Sequence, residues 1–324
     1  MTTNISGYPE VPRPVLAVVG PTGVGKTALA EELAVRLNGE VISADSMQVY
    51  RGLDIGTAKP PASERRVPYH CLDLVDPGEP YSAALYQLAA RDAIRSCHVR
   101  DVLPVVCGGT GLYVRAALDA MEFPPGEQTG NPARTRYEAL ARDRGPETLH
   151  AILAERDSAS AALIHPHNVR RVIRALEMLD DGLSYALQSQ GFGTRESVYA
   201  TRFLGLSMDR EDLYQRIRDR ADTMIHEGLL DEVAALLDRG FREALTAAQA
   251  IGYKELVAVI EGDVRLEDAI EQVKRASTRY AKRQLTWFRA DPRIVWIDVT
   301  GMSLSSAAVR AGEALHLDEL AHET

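Results

Sequence analysis

Gly20-Pro21-Thr22-Gly23-Val24-Gly25-Lys26-Thr27 has the residue types and spacing of a phosphate-binding loop. Glycines here let backbone N–H groups turn inward around an anion, Lys26 reaches a phosphate oxygen, and the Thr27 hydroxyl stands where a Mg²⁺ takes a ligand. The next candidate is Asp45, in Ala44-Asp45-Ser46-Met47-Gln48. A carboxylate beside such a loop suits a general base that takes a proton from an acceptor as diphosphate departs. It equally suits an aspartate linked to Mg²⁺ or capping a helix, and spacing alone leaves both open. Gly108-Gly109-Thr110-Gly111 is a second glycine turn carrying a hydroxyl. The chemistry implied is that of a di- or triphosphate, whose growing charge on departure must be met by Lys26, backbone N–H groups, a metal and an arginine.

These groups need a scaffold. The apolar run Val15–Val19 reads as a buried strand feeding the loop, and Leu29, Leu33 and Leu37 fall at helical spacing after it. The helix N-terminus adds positive partial charge at the anion site. Glu40–Ala44 is expected as a second strand ending at Asp45, His70–Val75 as a third, and Val102–Cys107 as a fourth that empties into Gly108–Gly111. Ser82 is placed to cap a helix running to about Val99. In an open parallel sheet, ligands gather at the carboxyl ends of the strands, which is where all these turns lie. The alternation predicts an α/β fold, a P-loop NTPase-like doubly wound parallel sheet.

The pattern changes at Phe123-Pro124-Pro125-Gly126. From Asn131 to about Gln190 only helical periodicity remains, broken at Gly145-Pro146, His165-Pro166 and Asp181-Gly182, which predicts an all-helical insertion domain. Val198–Leu206 reads as a strand rejoining the sheet, followed by helices over Asp209–Glu227, Leu229–Arg239 and Leu266–Ala290 and a last strand, Ile294–Val299. The expected boundaries are 11–125 and 197–300 for the two parts of the core, 126–196 for the insertion and 301–324 for a C-terminal tail.

Composition narrows the function. With 324 residues, 45% hydrophobic and 26% charged, the chain has the make-up of a globular protein with an ample core. No apolar run approaches the ~18 residues that span a bilayer, and Met1–Arg13 lacks the apolar centre of a signal peptide. The 3 cysteines, Cys71, Cys97 and Cys107, are widely spaced, which suits a reducing cytoplasm and pairs none of them for zinc or a disulfide. His165 and His167 have no nearby third ligand. The net charge of −9 argues against nonspecific nucleic-acid binding. Yet basic residues cluster at Arg134, Arg136, Arg142 and Arg144, at Arg170, Arg171 and Arg174, and between Lys274 and Arg293. Each could be a solvated helix face; together, in an acidic chain, they point to a polyanionic partner. The fourth strand ends in Gly-Gly-Thr where a motor or switch NTPase would place a Mg²⁺-holding acid, which weakens that reading.

The motifs resemble those of the tRNA dimethylallyltransferases, also called tRNA isopentenyl transferases, of the bacterial type. The resemblance rests on Gly20–Thr27, Ala44–Tyr50, Leu53-Asp-Ile-Gly-Thr-Ala-Lys-Pro60, Gly108-Gly-Thr-Gly-Leu-Tyr113, Asn168–Glu177, Gln249-Ala-Ile-Gly-Tyr-Lys254 and Lys282–Phe288, in order over residues 15–300. It implies transfer of a dimethylallyl group from its diphosphate to N6 of adenosine 37 in tRNA, with the loop Gly20–Thr27 holding the prenyl diphosphate. Asp45 would accept or orient the amino proton. Lys26, Arg220 and Thr27 (with Mg²⁺) would stabilise the leaving diphosphate, and Thr22 and Thr110 would line the site. Contacts to the tRNA anticodon stem-loop would fall on Asp45, Ser46, Met47, Gln48, Thr110, Arg134, Arg170, Arg171, Val172, Ile173, Arg174, Gln249, Ala250, Ile251, Gly252, Tyr253 and Lys254. Gly111 stands where a larger residue is familiar in the family. No membrane and no obligate protein partner is implied. Two other readings share the core motifs: an adenylate prenyltransferase acting on free AMP or ATP, and a P-loop nucleotide-binding RNA module without prenyl chemistry.

Overall fold

The computed structural model describes residues 13–124, 131–191, 193–242, 244 and 246–317. The expected boundary at 125–126 and the residues from 318 on lie outside them. The chain folds as two units, one formed by residues 13–119 and 197–317, the other by 120–196.

In the first unit, β1 (Pro14–Val19) leads through the glycine loop into α1 (Lys26–Arg36), then β2 (Gly39–Ser43) and β3 (Tyr69–His70). α2 (Ala83–Val99), β4 (Leu103–Gly108) and α3 (Gly111–Leu118) complete its first segment. The second unit is helical throughout: α4 (Pro132–Arg144), α5 (Pro146–Arg156), α6 (Ser158–Leu163), α7 (Val169–Asp180) and α8 (Tyr185–Gly191). The chain then returns with β5 (Ala200–Ser207), α9 (Arg210–His226), α10 (Leu229–Leu237), α11 (Tyr253–Ile260), α12 (Leu266–Arg289), β6 (Ile294–Asp298) and α13 (Leu304–Leu315).

The sheet is 6-stranded in the order β3-β2-β4-β1-β5-β6, and every described pairing is parallel. β1 and β4, fully buried, occupy its middle and read as continuous apolar runs, as strands covered on both faces must. Leu29, Leu33 and Ala34 of α1 pack with Ala307, Ala308 and Ala311 of α13 in one core cluster under the sheet. The inner face of α13 and Leu317 are therefore part of the core, within the stretch expected as a tail. The third strand is also shorter than expected: regular pairing with β2 ends at His70, Cys71 and Asp73 take positive φ, and the chain bends before Val75 makes an isolated parallel bridge to Tyr50. The Ser82 hydroxyl accepts the Leu85 N–H and caps α2 as its type suggests.

The helical unit has its own core, built from Tyr137, Leu149, Leu153, Val172, Ile173 and Leu176. Asn131 and Asn168 cap α4 and α7, and Asp157 introduces a break between α5 and α6 that the periodicity does not reveal.

Candidate active site

The glycine loop closes at Gly25, whose φ of 97° caps α1 and aims the helix N-terminus at the crevice beyond β1. Lys26 Nζ is turned back onto the Pro21 carbonyl at 2.7 Å. Desolvation there lowers its ammonium to about 8; Cys107 and Asp45 oppose this and the positive charge of Arg220 adds to it. Arg220, from α9, is likewise lowered by burial and pulled back by Asp45. Lys26, Asp45 and Arg220 thus sit within one another's fields at the carboxyl end of the sheet.

Asp45 follows β2. Its Oδ1 accepts the Met47 N–H at 2.9 Å, an Asx turn that fixes the carboxylate against its own backbone. Thr110 secures the same turn: the Ser46 N–H donates to Thr110 Oγ1 at 3.1 Å, and the Thr110 N–H donates to the Ala44 carbonyl at 3.2 Å.

A cavity of about 340 Å³ opens here, lined by Thr22, Asp45, Ser46, Met47, Arg220 and the whole stretch Gln249–Lys254. α9 and α12 supply much of its apolar lining, beside Arg220, Arg279 and Arg283. Ile217, Ala221, Met224 and Ile225 of α9 face Ile270, Val273 and Ala276 of α12 across it. Charged and apolar side chains lining one cavity suit an amphiphilic ligand with an anionic head.

Not every expected residue faces this space. Gln48 is buried, its amide held between the Ser43 hydroxyl at 2.8 Å and the Thr57 carbonyl at 3.2 Å. In the helical unit, Val172 and Ile173 are 0% and 4% exposed core residues, so the expectation that their side chains touch a partner is corrected: apolar spacing on α7 builds its inner face. Arg134 makes a bidentate pair with buried Glu177, at 2.7 and 3.0 Å, and Arg136 is bound to Asp180 at 2.8 Å, so part of that basic cluster is neutralised inside the unit. Arg170 and Arg171 are exposed on α7, and Arg174 is partly so.

Spacing reveals Arg283 only as one of a basic cluster, and does not reveal Tyr280 or Gln284. Tyr280 and Arg283 of α12 line the cavity. Burial first, then the nearby Asp45 charge, raises the Tyr280 phenol to about 12, so it stays protonated. Gln284, one turn on from Tyr280, lies between the two glycine turns: its Oε1 accepts the Thr22 N–H at 2.8 Å and its Nε2 donates to the Gly109 carbonyl at 3.0 Å. Its signal was its place in the Lys282–Phe288 motif. Trp287, 46% exposed, covers Gly111, where a Cβ would lie 2.0 Å from the indole nitrogen. The small residue at 111 is thus matched by the large one at 287.

At the opposite end of the sheet, Glu40, His70 and Cys97 bring potential ligand atoms within 4.8 Å of one another. Arg100 takes both Glu40 oxygens, at 2.5 and 2.6 Å, which makes this an ion-pair network despite the converging ligand types.

The IPP transferase family model matches residues 48–291, and an isopentenyl transferase model matches residues 13–67. The chain is 48% identical over 290 residues to a tRNA dimethylallyltransferase of Bacillus licheniformis, covering 89% of this chain and 91% of that one. To the one of Bacillus subtilis it is 47% identical over 290 residues, with coverage of 89% and 91%. Among solved structures it is similar to the tRNA isopentenylpyrophosphate transferase of Bacillus halodurans, with a TM-score of 0.68, 44% identity and coverage of 96% and 99%. It is also similar to a eukaryotic dimethylallyltransferase acting on tRNA, with a TM-score of 0.76, 31% identity and coverage of 93% and 78%.

Proposed function

The chain belongs to the IPP transferase family and transfers a dimethylallyl group from dimethylallyl diphosphate to tRNA, and we propose that its acceptor atom is N6 of adenosine 37 in the anticodon stem-loop. One observation carries the assignment of chemistry to residues: Asp45, Arg220 and Thr22 line the same cavity as an apolar wall from α9 and α12. The diphosphate lies on the glycine loop, where backbone N–H groups, Lys26 and Arg220 meet its charge. The hydrocarbon lies along Ile217, Ala221 and Val273. A walled cavity also keeps water from the allylic carbon, which would otherwise be hydrolysed.

An exocyclic amine is a poor nucleophile while it holds both protons. Asp45, oriented by its Asx turn, takes one as the C1–N6 bond forms, the C1–O bond breaks and diphosphate leaves. The Thr27 hydroxyl, at the start of α1, is an oxygen ligand suited to Mg²⁺, which binds few protein atoms beside phosphate oxygens. When bound, the metal would neutralise charge on the departing diphosphate. An adenine stacked in a loop cannot present N6, so it is flipped into the cavity, and single-stranded RNA is the part most open to such reading. Arg170, Arg171 and Arg174 are proposed to meet the RNA backbone. No helix among the described residues is long and apolar enough to cross a membrane.

Asp45→Asn tests the assignment. Turnover with labelled dimethylallyl diphosphate should fall by at least ~10²-fold, the usual contribution of a positioned base. Near-normal turnover would remove Asp45 from the mechanism.

A further inference from the structure

The Leu53–Pro60 motif lies in the loop between β2 and β3. Its backbone forms a concave nest of successive N–H groups, and the anion inside it is a side chain from elsewhere in the chain. Glu232 of α10 accepts the N–H groups of Asp54 at 3.2 Å, Ile55 at 2.8 Å and Gly56 at 3.4 Å. The same carboxylate accepts the Tyr253 phenol at 2.6 Å. Lys59 locks the far side of the loop, bound to Asp54 and Asp73 at 2.6 Å each and to the Tyr50 carbonyl at 2.9 Å.

Two segments of the cavity wall meet at this carboxylate. Gly56 and Thr57 face the cavity from the nest, and Tyr253 belongs to the Gln249–Lys254 stretch that lines it. They also fit against each other: a Cβ on Gly56 would lie 2.4 Å from the Tyr253 ring, so the ring is seated where only glycine leaves room. Neither segment belongs to the glycine loop that cradles the diphosphate or to the apolar wall from α9 and α12. This leaves the nucleobase as the occupant they face.

We propose that Glu232 is a positioning residue for the acceptor: by holding Gly56-Thr57 and Tyr253 in one fixed wall, it sets the place into which the adenine of tRNA is received. This rests on the transfer reaction above. Glu232 itself touches neither substrate and acts through the loop and the tyrosine. A negative charge accepting several donors is suited to this task, because charge-assisted hydrogen bonds are stronger than neutral ones and tolerate less displacement.

Steady-state kinetics of Glu232→Gln, with each substrate varied in turn, test the proposal. The amide keeps the size but loses the charge and turns a donor toward the nest. KM for tRNA should rise about tenfold while KM for dimethylallyl diphosphate stays within about twofold. An equal rise in both, or a lowered Tm with both KM values unchanged, would overturn it. Should Glu232→Gln fail to fold, Tyr253→Phe deletes only the phenol's bond. A several-fold rise in KM for tRNA then supports the proposal, and no change overturns it. If the wild type labels no tRNA, the reaction itself is misassigned and the inference falls with it; wild-type transfer with an unaltered variant sinks the inference alone.

Discussion

The backbone N–H of Thr22 is bound by the side chain of Gln284 at 2.8 Å, across a sequence separation of 262 residues. The other end of the same carboxamide holds Gly109. One buried side chain on α12 therefore ties the diphosphate loop to the turn that carries Thr110, and through Thr110 to the Asp45 turn.

Gln284→Ala should loosen both turns together. Two buried hydrogen bonds are lost and the Gly109 carbonyl is left without this donor, which costs about 1–3 kcal/mol of stability. KM for dimethylallyl diphosphate should rise as well, since the glycine loop loses its support. Thermal unfolding and donor kinetics on one preparation check both; an unaltered donor KM would mean that the loop holds its shape unaided.

Lys26 gives donor binding a pH dependence. Its ammonium, lowered to about 8 by desolvation, is charged below that pH and loses its proton above it. The diphosphate favours the charged form, so KM for the donor should be flat on the acid side and rise as pH passes about 8. Cys107, pushed up to about 11 by burial, titrates beyond this window. Lys26→Arg keeps its charge throughout and should lack the alkaline limb. A donor KM that is flat across the range for the wild type would contradict this.

The Glu40 network makes stability sensitive to acid. The Arg100 guanidinium, aided by His70 and opposed by burial, holds the Glu40 carboxyl down at about 2. Because this value lies below the unfolded one, the stabilisation is fully present above the ordinary carboxylate range and is lost as pH falls toward 2. Arg100→Ala should lower Tm near neutral pH, and the gap to the wild type should close on acidification. Arg100 is itself about half exposed, so salt should also narrow the gap.

Two arginines of the helical unit should behave in opposite ways. Arg134→Ala leaves Glu177, which is 1% exposed, with only Arg174 at 3.6 Å, which costs toward the lower end of the about 3–5 kcal/mol for removing one member of a buried pair. Arg171→Ala, on an exposed position, should leave stability unchanged and weaken tRNA binding, with the salt slope of binding reduced by about one. Unfolding curves and tRNA titrations at several salt concentrations separate the two.

The parts of the molecule that were legible in the sequence are those whose cause is local. β1, the glycine loop and α1 follow from an apolar run, fixed glycines and a helical period within one short stretch. Asp45 and Thr110 stand out in the sequence because each follows a strand on the crevice side. β3 is expected too long: an apolar look between His70 and Val75 gives no hint that Cys71 and Asp73 bend the chain off β2, so that Val75 bridges Tyr50 instead, or that Lys59 binds Asp73. α13 is expected only as part of a tail because its buried face is built from small residues, Ala307, Ala308 and Ala311, which bury by close approach to α1. Glu232 and Gln284 were out of reach for another reason. Each acts on a loop 178 or 262 residues away; nothing near Glu232 marks it, and the Lys282–Phe288 motif that contains Gln284 does not say which loops it binds.

The most direct measurement uses labelled dimethylallyl diphosphate, Mg²⁺ and two anticodon stem-loop RNAs that differ only at position 37, one with adenosine and one with guanosine. Label should pass to the adenosine RNA alone, with diphosphate released in equal amount. Equal labelling of both RNAs, or none on either while ATP is hydrolysed, would contradict a site in which Asp45 and the glycine loop act together on an adenine amine.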